Sequence, residues 1–128
     1  MKTRRHDLDH ATRRFGAVSF ALIGGRAPEL AGKVGLVHIR LAARCEHPAV
    51  MHKKTRELML MISGRATGRI GRRVVALRPG TLVDIPPGTW HSFHAGRSQV
   101  EALSIFVPPM SETSADVFVR QPGKSTAK

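Results

Sequence analysis

Three residues of this 128-residue chain have the types and spacing to hold a divalent cation: His52, Glu57 and His91. Two imidazoles and one carboxylate bind a transition ion on three sides and leave its other positions open. That donor set suits iron(II), manganese, nickel or zinc. A closed structural site would use four protein ligands, so open positions here admit water, oxygen or a chelating substrate. Each residue also has a plainer reading. His52 can be a surface residue beside Lys53 and Lys54, Glu57 can pair with Arg56, and His91 can cap the turn before it. A metal-free site that keeps all three as binding groups is the main rival.

The elements that must position these side chains are short strands. Alternate strand residues share a face, so His52 and Glu57 can point the same way from two strands joined by Lys53-Lys54-Thr55-Arg56. Pro86-Pro87-Gly88 makes a rigid corner that fixes where the next strand starts and aims His91. From Val34 the alternation is clean, with Leu36, His38 and Arg40 on one face and Val37, Ile39 and Leu41 on the other. Further strands are expected over 50–52, 57–62, 66–70, 72–77, 81–85, 90–94 and 100–107, separated by glycine and proline turns. The run 15–24 is strand-like. Many short strands without a helical period predict an all-β, antiparallel jelly-roll barrel. Residues 1–14 read as a basic arm, 15–110 as the barrel and 111–128 as a polar tail.

The stretch from Gly80 to His91 reads G-x5-P-x-G-x2-H, and Glu57 precedes Gly64 as E-x6-G with His52 five residues upstream. This pair of motifs resembles the two conserved motifs of the cupin superfamily, small single-domain cupins whose fold is a double-stranded β-helix. The resemblance spans about residues 40–107 and departs from the family in two places. Ala95 stands where the second motif ends in Asn, and Val50 stands where the first motif has an additional His. The resemblance therefore implies His52, Glu57 and His91 as metal ligands with one customary ligand missing. His47 would need a local bulge to replace it, and His38 would need its face turned inward. His94, three residues past His91, is sent by alternation to the opposite face. Either residue, His47 or His38, is also a candidate proton carrier. By period two, Met59 and Met61 share the face of Glu57 and Phe93 that of His91. With Val50 and Arg40 they form the candidate substrate pocket, although ordinary core packing explains the apolar ones equally well.

Composition sets the outer limits. At 41% hydrophobic and 23% charged residues the chain is an ordinary globular domain. Its net charge of +12 is spread along the sequence, and with one Trp and no Tyr it has few rings for stacking bases. A nucleic-acid partner is accordingly not expected. The lone Cys45 excludes an intrachain disulfide framework. No apolar run reaches the roughly 18 residues of a membrane span. The segment 15–24 follows Arg13-Arg14 in the manner of an export signal, but it is short and Asp7 and Asp9 interrupt the leader, so a cytoplasmic location is expected.

Two functions remain open. One is a metal-dependent enzyme, of oxygenase or isomerase type, acting on a small oxygen-bearing metabolite. The other is a non-catalytic, small-molecule-binding module, with or without metal, serving as a sensor or partner subunit. Small cupins commonly pair through an N-terminal strand, so the resemblance also implies a homodimer with residues 15–24 in the contact.

Overall fold

The computed structural model describes residues 14–15, 18–22, 32–109 and 117–120, and over 14–22 and at Val117 the backbone alone. The described residues form strands and turns, with no helix long and apolar enough to cross a membrane. In chain order the strands are β1 (Arg14–Phe15), β2 (Val18–Leu22), β3 (Gly35–Leu41), β4 (Glu46–His52), β5 (Arg56–Ser63) and β6 (Ala66–Ile70). They continue as β7 (Arg73–Leu77), β8 (Leu82–Ile85), β9 (His91–Ala95), β10 (Val100–Val107) and β11 (Val117–Arg120). Every strand pairing is antiparallel. One sheet runs β1-β2-β3-β10-β5-β8 and the other β11-β4-β9-β6-β7, and together they make the expected all-β jelly roll.

Alternation decides what each strand puts inside. On β5 the buried residues are Glu57, Met59 and Met61; on β10 they are Val100, Ala102, Ser104 and Phe106. Register places Phe106 opposite Glu57, Ser104 opposite Met59 and Ala102 opposite Met61, so one inner face carries both sets. The core cluster below the site includes Leu41, Met59, Met61, Leu77, Ile85 and Phe93. Burying a side chain of this size contributes roughly 1.5–3 kcal/mol. The three residues Met59, Met61 and Phe93, expected to line a pocket, thus belong to the packed core.

Two backbone details shape the barrel ends. Gly64, at φ 81° in the β5–β6 turn, packs so closely on the start of β10 that a Cβ there would lie 2.3 Å from the Gln99 carbonyl oxygen. On β4, His47 pairs with Phe93 and Val50 with His91, so three residues of β4 span two of β9 and the strand bulges between them. Pro48 sits in this bulge, where a missing N–H costs no ladder hydrogen bond.

The termini add strands to both sheets. Of the run 15–24, β2 pairs within the chain with β3, setting Phe20 opposite Ile39. Inside the expected tail 111–128, β11 pairs with β4, setting Val117 opposite His52. The rest of the expected arm and tail lies outside the described residues.

Candidate metal centre

His52 ends β4, Glu57 is the second residue of β5 and His91 begins β9, so three strand ends converge at one mouth of the barrel. All three residues are buried. Their candidate ligand atoms lie within 4.8 Å of one another. Glu57 Oε1 is the hub, 3.2 Å from His91 Nε2 and 3.5 Å from His52 Nε2. Donors held about 2.0–2.1 Å from one metal ion stand about 3.0–3.4 Å apart, so these separations are close to the edges of a coordination polyhedron.

The corner before β9 does more than aim His91. Gly88 N–H donates to the His52 carbonyl at 2.7 Å, tying the corner to the end of β4. His91 Nδ1 donates to the Thr89 carbonyl at 3.0 Å. A carbonyl can only accept, so that proton is fixed on Nδ1 and, in neutral imidazole, Nε2 presents its lone pair to Glu57. Two lone-pair atoms 3.2 Å apart require a positive charge between them, either a proton or a metal ion. Glu57 Oε2 meanwhile accepts from the Ser104 hydroxyl at 2.6 Å, and Ser104 is 0% exposed.

Burial is the largest influence on the Glu57 carboxyl and pushes its pKa up. Where the charge between Glu57 and His91 is a proton, hydrogen bonds from His52 and His91, the His91 charge and the Ser104 hydrogen bond together outweigh burial and hold the carboxyl well below the usual range. Glu57 is therefore ionised. His52 lacks the support His91 has: its buried Nδ1 has no hydrogen-bond partner among the described residues, and its ring packs edge-on against Phe106 at 5.4 Å. Arg56, the alternative partner for Glu57, turns outward to Asp84 at 2.5 Å.

The remaining candidates are not brought to the centre in the same way. Val50 is buried opposite His91, so an apolar side chain fills the flank where another donor would stand. His38 and Arg40 pair across β10 with Leu103 and Glu101, on the face opposite Ala102 and Ser104, so both point away from the barrel interior. There His38 Nε2 bonds Glu101 Oε2 at 2.7 Å, and Arg40 is exposed. The face of β3 is set by its register with β10, which period-two counting within β3 cannot fix. His94 is exposed, on the outer face. His47 lies across from Phe93, its ring edge-on at 5.9 Å, and is not among the three converging residues. Sequence reasoning missed Ser104 and the Thr89 carbonyl; the inward alternation of Val100–Val107 was the available signal for the first.

Comparison with known proteins places this geometry. An uncharacterised protein of Streptomyces coelicolor is 33% identical over 55 residues, which are 43% of this chain and 52% of that one, so the chain spans about half the length of this relative. Among solved structures, Bacillus subtilis oxalate decarboxylase superposes with a TM-score of 0.74 at 22% identity, over 92% of this chain and 33% of that one. Pac13, a nucleoside dehydratase, gives 0.73 at 12% identity, over 94% of this chain and 92% of that one. KdgF from Halomonas gives 0.70 at 13% identity, over 85% and 92%. At these identities the likeness is one of fold. The family model for the cupin domain matches residues 37–106, more than half of the chain and all three converging residues, and the chain belongs to the cupin family.

Proposed function

We propose that this chain is a metal-dependent cupin enzyme, of oxygenase or isomerase type, acting on a small oxygen-bearing metabolite. His52, Glu57 and His91 would hold a divalent iron, manganese, nickel or zinc ion. The observation that carries this reading is the shared Glu57 oxygen facing two imidazole Nε2 atoms at 3.2 and 3.5 Å, with the proton of His91 already committed to Thr89. When bound, such an ion supplies Lewis acidity or oxygen activation. The protein's own part is to fix the donors. Ser104 and Thr89 orient Glu57 and His91, while Val50 and Phe106 keep the adjoining wall apolar. Oxalate and nucleosides, named for two of the structural neighbours, are oxygen-bearing molecules of the size class expected.

Metal content by plasma mass spectrometry, on protein purified without a tag or chelator, tests the reading beside a His91→Ala control. Near-stoichiometric iron, manganese, nickel or zinc that is lost in the control supports it. No metal in either sample after reconstitution overturns it.

Val50 favours a second reading, a non-catalytic small-molecule-binding barrel that serves as a sensor or partner subunit. Turnover of a candidate metabolite by the metal-loaded protein separates the two. A homodimer is part of either proposal, supported by Leu60, Ile62 and Leu82, which are exposed at 38%, 43% and 59%. A cytoplasmic setting is proposed with it, in keeping with the single cysteine.

A further inference from the structure

The strand registers put the three converging residues at one end of the barrel and four turns at the other. β5 runs from Arg56 at the mouth to Ser63 at the base, and β9 runs from His91 to Ala95. Ala66 pairs with both Ala95 and Leu77, Glu101 pairs with Ser63, and Val100 pairs with Leu41. The turns 42–45, 63–65, 78–81 and 96–99 therefore share the base.

Each of these turns carries one arginine: Arg44, Arg65, Arg78 and Arg97, all exposed. Backbone hydrogen bonds stitch three of the turns together around Gly96. Arg44 N–H donates to the Gly96 carbonyl at 2.8 Å, and Gly96 N–H donates to the Arg65 carbonyl at 2.8 Å. Arg65 and Arg78 flank the Ala66–Leu77 pair at the end of its ladder, on strands about 4.8 Å apart. Charge that is spread evenly along the sequence is thus gathered in space.

No described acid balances it. Glu57 is buried at the mouth, Asp84 pairs with Arg56, and Glu101 pairs with His38. Glu46, two residues beyond Arg44, lies opposite His94, and none of the four arginines makes an ion pair with a described residue. Arg44 adds a second sign. Among the described residues it is the one non-glycine with a left-handed backbone, φ 61°. Glycine adopts that conformation freely, so the turn keeps a guanidinium where its backbone favours no side chain.

The chemistry of the base narrows its partner. The planar fork of arginine meets phosphate oxygens two at a time. Ser63, Ser98 and Gln99, exposed beside these arginines, add neutral donors of the kind that phosphate contacts use. The four turns hold no aromatic ring to stack an unpaired base and no large apolar side chain to enter a lipid surface.

We propose that the base of the barrel docks on the phosphate backbone of a nucleic-acid duplex, with Arg44, Arg65, Arg78 and Arg97 at phosphates and no base read. The surface is separate from the mouth and does not depend on a metal there.

Fluorescence anisotropy of a short labelled DNA duplex, measured across a salt series, tests it. The slope of log K against log salt changes by about 0.9 for each phosphate neutralised. Each single arginine-to-glutamine variant should flatten the slope by about 0.9, and the fourfold variant by about 3.6. Arg72→Gln, in the β6–β7 turn at the mouth, should leave it unchanged. Arg44→Gly relieves the left-handed backbone, so it should melt no lower than the wild type and still lose its share of the slope, which separates docking from folding. Equal flattening by Arg72→Gln would mean diffuse attraction and overturn the proposal, as would absence of duplex binding at low salt. Tighter binding of the single strand, or binding of anionic vesicles in place of the duplex, would give the face to another partner and overturn it as well.

Discussion

Val50 and His91 face one another across β4 and β9, so the residue beside the metal-binding imidazole is a buried hydrocarbon. Replacing it by a donor should complete a four-ligand site. Val50→His is expected to tighten cobalt(II) or manganese(II) binding by about tenfold or more, equivalent to about 1.4 kcal/mol per tenfold. Competition against a metallochromic chelator measures it, and an unchanged or weaker affinity would show that this flank does not face the ion.

The Ser104 hydroxyl hydrogen bond to Glu57 can be read by two measurements. Ser104→Ala leaves Glu57 Oε2 without its buried donor, which costs about 1–3 kcal/mol of stability in urea unfolding. The carboxylate also loses its orientation, and metal affinity should fall by about 10–100-fold. Loss of stability with full affinity would assign Ser104 to packing alone.

Metal should stabilise the fold only through the converging trio. At a free concentration 100 times Kd, a bound ion adds about 2.7 kcal/mol to unfolding stability. This increment, followed as a rise in Tm with manganese(II), is expected to vanish in Glu57→Gln and His91→Ala. It should persist in His38→Gln and Arg40→Gln, whose side chains lie on the outer face.

Two glycines with the same backbone sign separate strain from collision. Gly64 and Gly88 both have φ 81°, but a Cβ at Gly88 meets nothing within 4 Å, whereas at Gly64 it meets a carbonyl oxygen at 2.3 Å. Gly88→Ala should cost about 1–2 kcal/mol for the left-handed backbone alone. Gly64→Ala should cost about 3 kcal/mol or more, because the turn itself must shift.

Stability should rise with pH through the mildly acidic range. The His47 pKa is lowered from 6.5 by folding, so between its folded value and 6.5 the unfolded chain binds more protons. Its contribution is complete above 6.5 and is lost as pH falls through that window. Glu57 acts in the same direction lower down, its contribution present above 4.5 and lost as pH falls further. Urea unfolding at about pH 7.5 and about pH 5.5 should show the loss, and His47→Gln should reduce it.

The strands Ala66–Ile70 and Val100–Val107 were legible to the residue, the first because glycines stand close on both sides of it and the second because a run rich in apolar residues ends at Pro108. Strand β9 starts one residue later than expected, at His91 itself, where the β6–β9 ladder ends at the Ile70–His91 pair, although Gly71 N–H still bonds the Trp90 carbonyl at 2.7 Å. Strand β4 starts four residues before Val50, since a proline that reads as a strand breaker is accommodated by the bulge. Strand β11 was not legible, because Val117-Phe118-Val119 is a short apolar island whose partner, β4, is more than 60 residues away in sequence. The convergence of His52, Glu57 and His91 could be anticipated from spacing. The outward turn of His38 and Arg40 could not, as it depends on which inner face β10 presents to β3.

Strand β10 lies between β3 and β5, pairing residues 63 apart at His38 and Glu101 and 47 apart at Glu57 and Ser104. Such distant partners must pass through large loop closures before any of their contacts form, which makes the chain a slow folder for its size. The support beneath Glu57 therefore arrives only when β10 docks, late on the folding route. A cation at this mouth would act as a latch on the finished barrel: it should slow unfolding strongly and leave the folding rate nearly unchanged.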